Sequence, residues 1–385
     1  MFTSKFDISI VGGGVSGLHL ALSLMKDNHF QHHKIALFEK EPKTENDKTW
    51  SFWEKENGQW DKLIHKKWST GKIFALQKEV ALNLKPFSYK TLRAIDFYNY
   101  AYQQLAKARN IEVIFETVET IQEEKDKVGI KTDKNEYVSD LVFNSRIPDF
   151  NSIKKEADFT LLQHFEGWFI ESEKAVFNPD EFVMMDYRFK DAEQTSFIYL
   201  LPFSKHKALV EFTYFTPELV DDERYTIFLQ QYIDEQLQLK SYKITDKERG
   251  VIPMSNYNFS QNHTDKIIQI GTAGGWVKAS SGYSFKNAEK KAAKIVTNLK
   301  QGLPINKGLF HPKYKHYDSL FLDVLSTHNH LGEKVFYKLY AKNNIQTLLR
   351  FLDEETSYVD DFSIIKSLTS IEFIKAFFHR LFRKI

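Results

Sequence analysis

The segment FDISIVGGGVSG at residues 6–17 decides the fold of this chain. Its first half is an apolar strand, and its second half carries the pattern G-x-G-x-x-G. A helical pattern follows over residues 18–25, and a second apolar strand over residues 34–38 runs into Glu39. Strand, glycine turn, helix and strand in this order predict a β-α-β unit that binds a dinucleotide.

The residues of this unit have separate tasks. Gly12 permits the tight turn, Gly14 lets the backbone approach a pyrophosphate, and Gly17 lets helix and strand pack closely. The positive end of the helix faces the phosphate charge. Glu39, about 20 residues further on, can accept hydrogen bonds from a ribose. A fortuitous glycine turn is the alternative, and the complete unit argues against it.

The composition excludes several classes of protein. Lys and Arg (53) nearly balance Asp and Glu (51) over 385 residues, so no global field attracts nucleic acid. Cysteine is absent, which excludes disulfides, thiolate metal sites and cysteine nucleophiles and fits a reducing cytoplasm. No stretch reads as a transmembrane helix or as a signal peptide. The 33 Phe and 18 Tyr suit a large apolar ligand, or simply a core.

The rest of the chain alternates between helix and strand patterns. We predict a helix over residues 88–105 and short strands with a charged hairpin over residues 111–143. An aromatic-rich antiparallel region covers residues 160–215. A long helix is expected over residues 287–299, and residues 314–385 are helical in pattern.

Three further motifs are specific: MDYR at 185–188, ERGVIPM at 248–254 and SSGYS at 280–284. With the glycine unit they stand in the order found in bacterial and plant lycopene cyclases, and the chain resembles this family over roughly residues 8–299. Members of the family are flavin-dependent and have a fold like that of p-hydroxybenzoate hydroxylase and the geranylgeranyl reductases.

The resemblance implies an α/β protein with three parts. They are a Rossmann-type FAD-binding domain, an antiparallel β substrate domain and a helical C-terminal region. The expected boundaries are residues 1–65, 88–150 and 255–302 for the first part, 66–87 and 151–254 for the second, and 303–385 for the third.

FAD is expected to contact residues beyond the first glycine unit. Arg93 can donate bidentate hydrogen bonds to phosphate or ribose oxygens, with a surface ion pair to Asp96 as the alternative. Gly271 and Gly274 follow a strand, so their backbone can approach the ribityl chain closely. Many flavoproteins carry Asp directly after the first of these glycines, whereas this chain has Thr272.

Gly282 and Tyr283 precede the long helix of residues 287–299. The positive end of that helix would lie against the N1/O2 edge of the flavin and favour its anionic reduced form. The resemblance therefore adds both residues to the FAD contacts and implies NADPH as electron donor. No separate NADPH motif is visible in the sequence.

The activity that the resemblance implies is an isomerisation, the cyclisation of an acyclic carotene end group. A general acid protonates the terminal double bond, the neighbouring double bond closes the ring, and loss of a ring proton completes the reaction. A carboxyl group that acts as this acid needs an apolar environment to raise its pKa. Glu211, between Val210 and Phe212 on a predicted strand, has such a setting, although a solvent-facing Glu at a strand edge is the alternative.

The resemblance also places Glu211 at the first position of the family's Glu-Glu-Thr or Glu-Asp-Thr motif. Phe212 stands at the second acidic position, so the motif itself supplies no carboxyl pair. Asp186 and Arg188 could hold the reacting end or the flavin, or form a structural ion pair at a strand end. Because these two residues match the family, we count them among the expected catalytic residues.

Two other sets of polar residues were weighed and set aside. The segment FLDEET at 351–356 resembles the plant motif more closely than the Glu211 segment does, but it lies far beyond the second glycine segment. We interpret it as a charged run on a solvated helix. The close His pairs at 32–33 and 328–330 lack cysteine or helical i, i+4 partners, so no metal site is expected.

An acyclic carotene such as lycopene resides in a bilayer, so we expect a peripheral protein on the inner face of the membrane. Residues 370–385 place apolar side chains, among them Ile374 and Phe378, on one helical face and add basic residues such as Lys375 and Arg380. This pattern is typical of an interfacial helix, and equally of a packed C-terminal helix.

The sequence therefore predicts a lycopene β-cyclase that needs reduced FAD. A flavin-dependent monooxygenase or isoprenoid reductase of the same superfamily is the first alternative, and it would consume NADPH stoichiometrically. A flavoprotein that binds carotenoid without converting it is the second.

Overall fold

The structure, a computed structural model, describes residues 4–55, 57–147 and 150–376. Within these ranges the chain forms three β-sheets, which are connected and covered by α-helices. Strands and helices are numbered below in chain order.

The first sheet contains the glycine unit and has seven strands. They are β1 (Ser4–Val11), β2 (Ile35–Glu39), β8 (Ile111–Phe115), β9 (Val118–Glu123), β10 (Val128–Thr132), β11 (Glu136–Asn144) and β17 (Ile267–Gln269). The order is β8-β2-β1-β11-β10-β9, with β17 beside β11. The five strands β1, β2, β8, β11 and β17 run parallel, whereas β9 and β10 are antiparallel. Residues 8–11 of β1 are all buried, because side chains cover both faces of a parallel sheet.

The second sheet also has seven strands, in the order β16-β12-β15-β14-β13-β5-β6. They are β5 (Thr70–Ala75), β6 (Lys78–Asn83), β12 (Thr160–Glu171), β13 (Glu181–Asp186), β14 (Ser196–Pro202), β15 (Lys207–Thr216) and β16 (Lys243–Ser255). All neighbours are antiparallel except β13 and β5. Side chains alternate between the two faces, so each face has its own apolar core.

A third, small sheet joins the first two and corrects one prediction. Its strands are β3 (Thr49–Glu54), β4 (Lys66–Trp68) and β7 (Ser88–Arg93). Residues 88–93 were predicted to begin a helix, but they form the central strand, and the helix begins at Ala94. Two neighbouring strands hydrogen-bond to β7, and they outweigh the local helical pattern.

The helices cover the sheets in separate groups. They are α1 (Val15–Lys26), α2 (Ala94–Leu105), α3 (Phe150–Glu156), α4 (Asp222–Gln231), α5 (Phe285–Lys300), α6 (Pro312–Thr327), α7 (Gly332–Ala341), α8 (Ile345–Leu352) and α9 (Tyr358–Leu368). Helix α1 packs against α5 and α2 next to the first sheet. Helices α6 to α9 pack on one face of the second sheet, and α4 packs on the other.

Residues 371–376 are also helical, but most of the interfacial face predicted for residues 370–385 lies outside the described residues. In the part of the chain that the structure describes, no helix is both long enough and apolar enough to span a bilayer. The three-part division of the chain, with the boundaries given above, stays a prediction.

Candidate active site

The first glycine turn is tightly packed at Gly12 and Gly17, and the space around Gly14 is open. Gly12 has a φ of +102°, which favours glycine, and a side chain on it would collide with the Ser145 hydroxyl. A Cβ on Gly17 would lie 2.0 Å from the Gly12 carbonyl oxygen. Around Gly14, by contrast, no heavy atom of the described chain lies within 4 Å of the Cβ position. The open space therefore lies where helix α1 presents its first backbone N–H groups.

Glu39 lies beside this turn, at the end of β2. One carboxylate oxygen accepts a hydrogen bond from the Gly13 backbone N–H at 2.5 Å, and the other accepts one from the Lys40 N–H at 3.1 Å. Lys43 forms an ion pair with the same carboxylate at 3.4 Å. The geometry places an acceptor next to the glycine turn, where a ribose of a dinucleotide would need one.

The second glycine segment meets the first. Gly271 has a φ of +62°, and a Cβ on it would lie 3.2 Å from the Ser16 hydroxyl at the start of α1. A Cβ on Gly274 would come within 2.3 Å of the Gln269 carbonyl oxygen, so this turn also requires glycine. Thr272 lines the same space as Gly14. The two glycine segments thus form one continuous wall.

Gly282 and Tyr283 lie further along that wall, just before α5. Gly282 has a φ of +73°, and a Cβ there would collide with the side-chain oxygen of Gln163. Tyr283 packs edge-on against Trp53, and its hydroxyl lies 3.0 Å from that of Tyr89. The buried Ser281 hydroxyl has no hydrogen-bond partner among the described residues, so a polar ligand could bind it.

A single cavity of about 680 Å³ connects the glycine segments to the helical C-terminal region. It begins at Gly14, passes over one face of the second sheet and reaches α9 and residues 371–374. Most of its far wall is apolar, formed by Met184, Met185, Phe197, Phe215, Phe321, Phe336, Leu339, Phe351, Leu352, Ile364, Leu368 and Phe373. One end therefore suits a nucleotide, and the other suits a long apolar molecule.

Two of the buried carboxyl groups that line this cavity lie on neighbouring positions of the second sheet, and sequence reasoning found only one of them. Glu211 on β15 and Glu248 on β16 lie on either side of Gly167 on β12 and are only 7% and 6% exposed. The Thr213 hydroxyl donates to Glu211 at 2.6 Å, and the Thr49 hydroxyl donates to Glu248 at 2.7 Å. The predicted solvent-facing alternative for Glu211 does not describe this structure.

Burial determines the protonation of this pair. It raises the pKa of Glu211 to about 7, because the low-dielectric surroundings disfavour the carboxylate. Burial, and then the negative charge of Glu211, raise the pKa of Glu248 to about 8. Because the two groups interact, the pair as a whole loses its two protons in successive steps. Near neutral pH the cavity therefore contains a carboxylic acid.

A chain of hydroxyl groups lies beside Glu211. Tyr199, which is paired with Glu211 in the sheet, has its hydroxyl 2.7 Å from that of Tyr89 and 3.0 Å from that of Ser51. Tyr89 links in turn to Tyr283, and all four side chains line the cavity. The tyrosine rings next to the carboxyl group could stabilise a positive charge that develops there.

The structure does not bring Asp186 and Arg188 to this cavity. Asp186 is fully buried and accepts two hydrogen bonds from the Arg188 guanidinium, at 2.9 and 2.5 Å. This guanidinium in turn lies over the Phe74 ring. Both are close to Tyr232, in the core on the opposite face of the second sheet. Because side chains alternate along a strand, the residues on either side of Asp186 face the cavity core instead.

Arg93 lies at the end of β7, at the N-cap of α2, next to the carboxyl pair. Its guanidinium is 3.8 Å from Asp246, not paired with Asp96 as the alternative interpretation had it. Its Nε atom is buried and has no hydrogen-bond partner within the described ranges. Arg93 is also close enough to Glu248 to lower that carboxyl pKa, against the effect of burial. Together with the open Gly14 turn, this free donor fits a dinucleotide.

The interpretation of residues 351–356 as a solvated charged run was wrong, because only Glu355 of the six is exposed and Thr356 is buried. Glu354 accepts a hydrogen bond from Lys278 at 3.1 Å, and the buried Lys278 also pairs with Asp318 at 2.9 Å. Lys278 belongs to the second glycine region, whereas Asp318 and Glu354 belong to the C-terminal helices and their connections. Glu354 is therefore partly buried and links these parts of the chain.

Glu248 is the main site residue that sequence reasoning missed. It stood in the quoted ERGVIPM motif, but nothing local showed which residue of β16 faces the cavity. The only usable signal was Gly167, because an isolated glycine in a strand often marks a close approach of neighbouring groups. Tyr199 was missed for the same reason, since strand pairing brings it to Glu211. Tyr89 lies in the third sheet and reaches the site through its hydroxyl contact with Tyr199.

Comparison with solved structures shows which proteins share this fold. A geranylgeranyl bacteriochlorophyll reductase-like protein from Thermoplasma acidophilum has a TM-score of 0.62 at 15% identity, covering 95% of this chain and 96% of its own. A flavoprotein/dehydrogenase from Cytophaga hutchinsonii reaches 0.67 at 13% identity, covering 98% and 100%. p-Nitrophenol 4-monooxygenase from Pseudomonas putida reaches 0.56 at 14% identity, covering 98% and 99%. The fold is that of FAD-dependent oxidoreductases and monooxygenases, and the predicted fold class is confirmed.

The family follows from the sequence comparison. The family model described as lycopene cyclase protein matches residues 7–377, nearly the whole chain. The chain belongs to the lycopene cyclase family, as the motifs predicted. No curated protein sequence matches it.

The raised pKa values predict how stability depends on pH. Between pH 4.5 and about 7 the folded protein keeps a proton on Glu211 that the unfolded chain releases. The free energy of unfolding should therefore fall as pH rises through this window, by up to about 1.4 kcal/mol per pH unit for this group. Urea denaturation at several pH values should show a flatter dependence for Glu211→Gln than for the wild type.

The matched control is Glu171→Gln, at the partly exposed end of β12, which should leave the slope unchanged. A Glu211→Gln protein with the wild-type slope would contradict the buried acid.

Proposed function

We propose that this protein is a lycopene β-cyclase, which converts the acyclic ends of lycopene to β-ionone rings without net redox change. The observation that carries the proposal is Glu211, a buried carboxyl group in a cavity with a nucleotide-type end and a long apolar end. Membership of the lycopene cyclase family supports the same substrate class. Acid catalysis on a hydrocarbon needs a proton donor that stays protonated near neutral pH, and burial supplies one.

In the proposed reaction Glu211 is the general acid. Its O–H bond breaks as the proton forms a C–H bond with the terminal double bond, which leaves a tertiary carbocation. The electron pair of the next double bond closes the six-membered ring, and a ring proton then leaves to form the new double bond. Thr213 orients the carboxyl group, and the rings of Tyr89 and Tyr199 lie where positive charge develops.

FAD is the proposed cofactor, with NADPH as its electron donor. The residues that would hold FAD are Gly12, Gly14, Gly17, Glu39, Arg93, Gly271, Gly274, Gly282 and Tyr283. When bound and reduced, the flavin supplies negative charge that stabilises a carbocation electrostatically. The open space at Gly14 and the unpaired donor of Arg93 support this placement. Asp186 and Arg188 have no part in the proposed reaction, because they lie on the other face of the sheet.

The surface around the far end of the cavity supports access from a membrane. Val359 (81% exposed) and Phe362 (68% exposed) project from α9 at helical spacing from Ile365, and the partly exposed Ile365 and Ile374 line the cavity. A cluster of exposed apolar side chains at a cavity mouth marks an interaction site. The exposed Lys366, in the same segment, suits an anionic lipid surface. We therefore propose that this face docks on the bilayer.

The acid can be tested directly. Glu211→Gln should keep flavin binding and slow the cyclisation of lycopene in liposomes by a hundredfold to ten-thousandfold, roughly the contribution of a positioned acid. Pigments are separated by chromatography after anaerobic incubation with FAD and NADPH, and NADPH consumption is followed in parallel. Glu166→Gln, on the opposite sheet face, is the control.

Retained cyclisation in Glu211→Gln would remove it as the acid. Stoichiometric loss of NADPH without cyclised pigment would instead favour the monooxygenase or reductase alternative.

The nucleotide end can be tested without any turnover. Gly14→Val should fold normally, because Gly14 has an extended φ of −80° and no atom of the described residues lies near its Cβ position. The side chain would fill the space proposed for the pyrophosphate, so FAD affinity measured by flavin fluorescence should fall about a hundredfold or more. Gly129→Val, also free of close contacts but on β10, should bind FAD normally. Unchanged affinity in Gly14→Val would contradict the proposed cofactor placement.

The docking face can be tested by vesicle binding. The double variant Val359→Ser/Phe362→Ser should co-sediment at least about tenfold less with phosphatidylcholine vesicles containing phosphatidylglycerol, since each side chain contributes roughly 1.5–3 kcal/mol when buried. The control Leu219→Ser/Ile227→Ser removes two other exposed apolar side chains, 54% and 57% exposed, elsewhere on the surface. Equal losses in the two double variants would show that α9 has no special role.

A further inference from the structure

Glu248 faces the same cavity as Glu211, and the proposed reaction leaves it unused. The reaction needs two proton transfers, one to the substrate and one from it. Glu211 accounts for the first. The acceptor of the ring proton determines where the new double bond forms, and therefore which ring isomer is produced.

The geometry of the sheet brings the second carboxyl group to the reacting region. Glu211 and Glu248 are each paired with Gly167, so they lie on strands two positions apart, at about 10 Å between backbones. Their side chains extend over the same face. A Cβ on Gly167 would lie 3.2 Å from the Glu248 Cγ and 3.5 Å from the Glu211 Cβ. The Leu209 Cδ1 atom would lie closer still to that Cβ, at 2.8 Å, so the gap between the two carboxyl groups has no room for a further side chain and requires glycine at position 167.

We propose that Glu248 is the catalytic base that removes the ring proton, and that Glu211 and Glu248 work as an acid–base pair across Gly167. This inference rests on the proposed function and assigns the step which that function left open.

The proton balance of the pair is complete. Glu211 gives its proton to the less substituted carbon of the terminal double bond, which leaves the tertiary cation, and the ring closes. The Glu248 carboxylate then takes a proton from a ring carbon next to the cationic centre, and the electrons of that C–H bond form the ring double bond. Glu211 is now ionised and Glu248 protonated. Transfer of one proton from Glu248 to Glu211 through the gap restores the starting state, so no proton is consumed.

The surroundings of Glu248 suit a base. The Thr49 hydroxyl donates to its carboxylate, and the Arg93 guanidinium lies on its side of the pair. Both interactions lower the pKa of Glu248, although burial and the charge of Glu211 leave it at about 8, above the value of about 7 for Glu211. The two groups therefore share the proton of the singly protonated pair, and Glu248 acts as the base in the form in which Glu211 holds that proton. The negative charge of one carboxylate disfavours ionisation of the other. As pH rises, the pair therefore passes from two protons to one and then to none, and the state with one proton is populated in between. Only the singly protonated pair can both give and take a proton.

The test compares Glu248→Gln, Glu248→Asp and the control Glu166→Gln in the full chain loaded with FAD and reduced by NADPH. Glu166 is adjacent to Gly167 but is bonded to Trp168 on the opposite face. Wild-type cyclisation should rise and then fall with pH, because both the acid and the base are needed. Glu248→Gln should turn over about a hundredfold more slowly or worse and lose the rise at low pH.

The identity of the products separates a base from a structural residue. Without Glu248 the ring proton leaves to other acceptors, so residual product from Glu248→Gln should contain ring isomers or a tertiary alcohol that the wild type does not form. Glu248→Asp, which keeps a carboxylate, should recover part of the rate and the wild-type isomer. A structural role would lower yield without changing isomers or pH profile.

An infrared titration provides a readout without turnover. The carboxyl C=O band of Glu248 should titrate at lower pH in Glu211→Gln than in the wild type, because the neighbouring negative charge that raises the pKa of Glu248 is gone. An unshifted band, or wild-type isomers and pH profile in a folded, flavin-loaded Glu248→Gln, would overturn the acid–base pair. No cyclised pigment from the wild type would overturn the proposed function, and the base with it. If the wild type cyclises lycopene and Glu248→Gln does so equally well, only the role of Glu248 as the base is overturned.

Discussion

The exclusion of water from two carboxyl groups is the constraint on which this structure depends. A lone carboxylate in an apolar interior costs several kcal/mol of free energy, and two facing carboxylates cost more. The protein meets this cost by keeping at least one proton on the Glu211–Glu248 pair near neutral pH and by giving each carboxyl group a threonine hydroxyl as donor. The same burial that makes the pair unfavourable as anions makes it a proton source near neutral pH. Stability and acid chemistry thus have one physical origin.

The helical C-terminal region creates that apolar environment. Helices α6 to α9 pack on the cavity face of the second sheet, and without them Glu211 would face solvent. A buried ion cluster connects these helices to the second glycine region, because Lys278 forms ion pairs with both Asp318 and Glu354. Removing one partner of such a cluster leaves an uncompensated buried charge, which is strongly destabilising. The wall of the apolar end and the wall of the nucleotide end are therefore coupled.

Features that depend on neighbouring residues in the chain were predicted correctly, whereas features that depend on pairing between distant segments were not. The glycine unit was predicted correctly because its strand, turn, helix and strand are consecutive in the chain. The strand Ser88–Arg93 was assigned to a helix because its two partner strands come from residues 49–68 and are not visible locally. Asp186 and Arg188 carry a family motif, yet a one-residue alternation along β13 turns them away from the cavity. Their predicted role required both side chains to face the cavity, and no local sequence pattern specifies which face of the sheet they take.

The sequence by itself determined the α/β class, the flavoprotein glycine turns, the family and the choice of Glu211, since each depends on residue types at short spacing. Only the tertiary structure decided that Glu248 is its partner, because 37 residues of chain separate them and two strand pairings bring both to Gly167. It also decided that Glu354 is a structural ion-pair member and that the cavity ends at α9. Burial and facing are properties of packed neighbours, and sequence spacing alone does not specify which neighbours a strand or helix will meet.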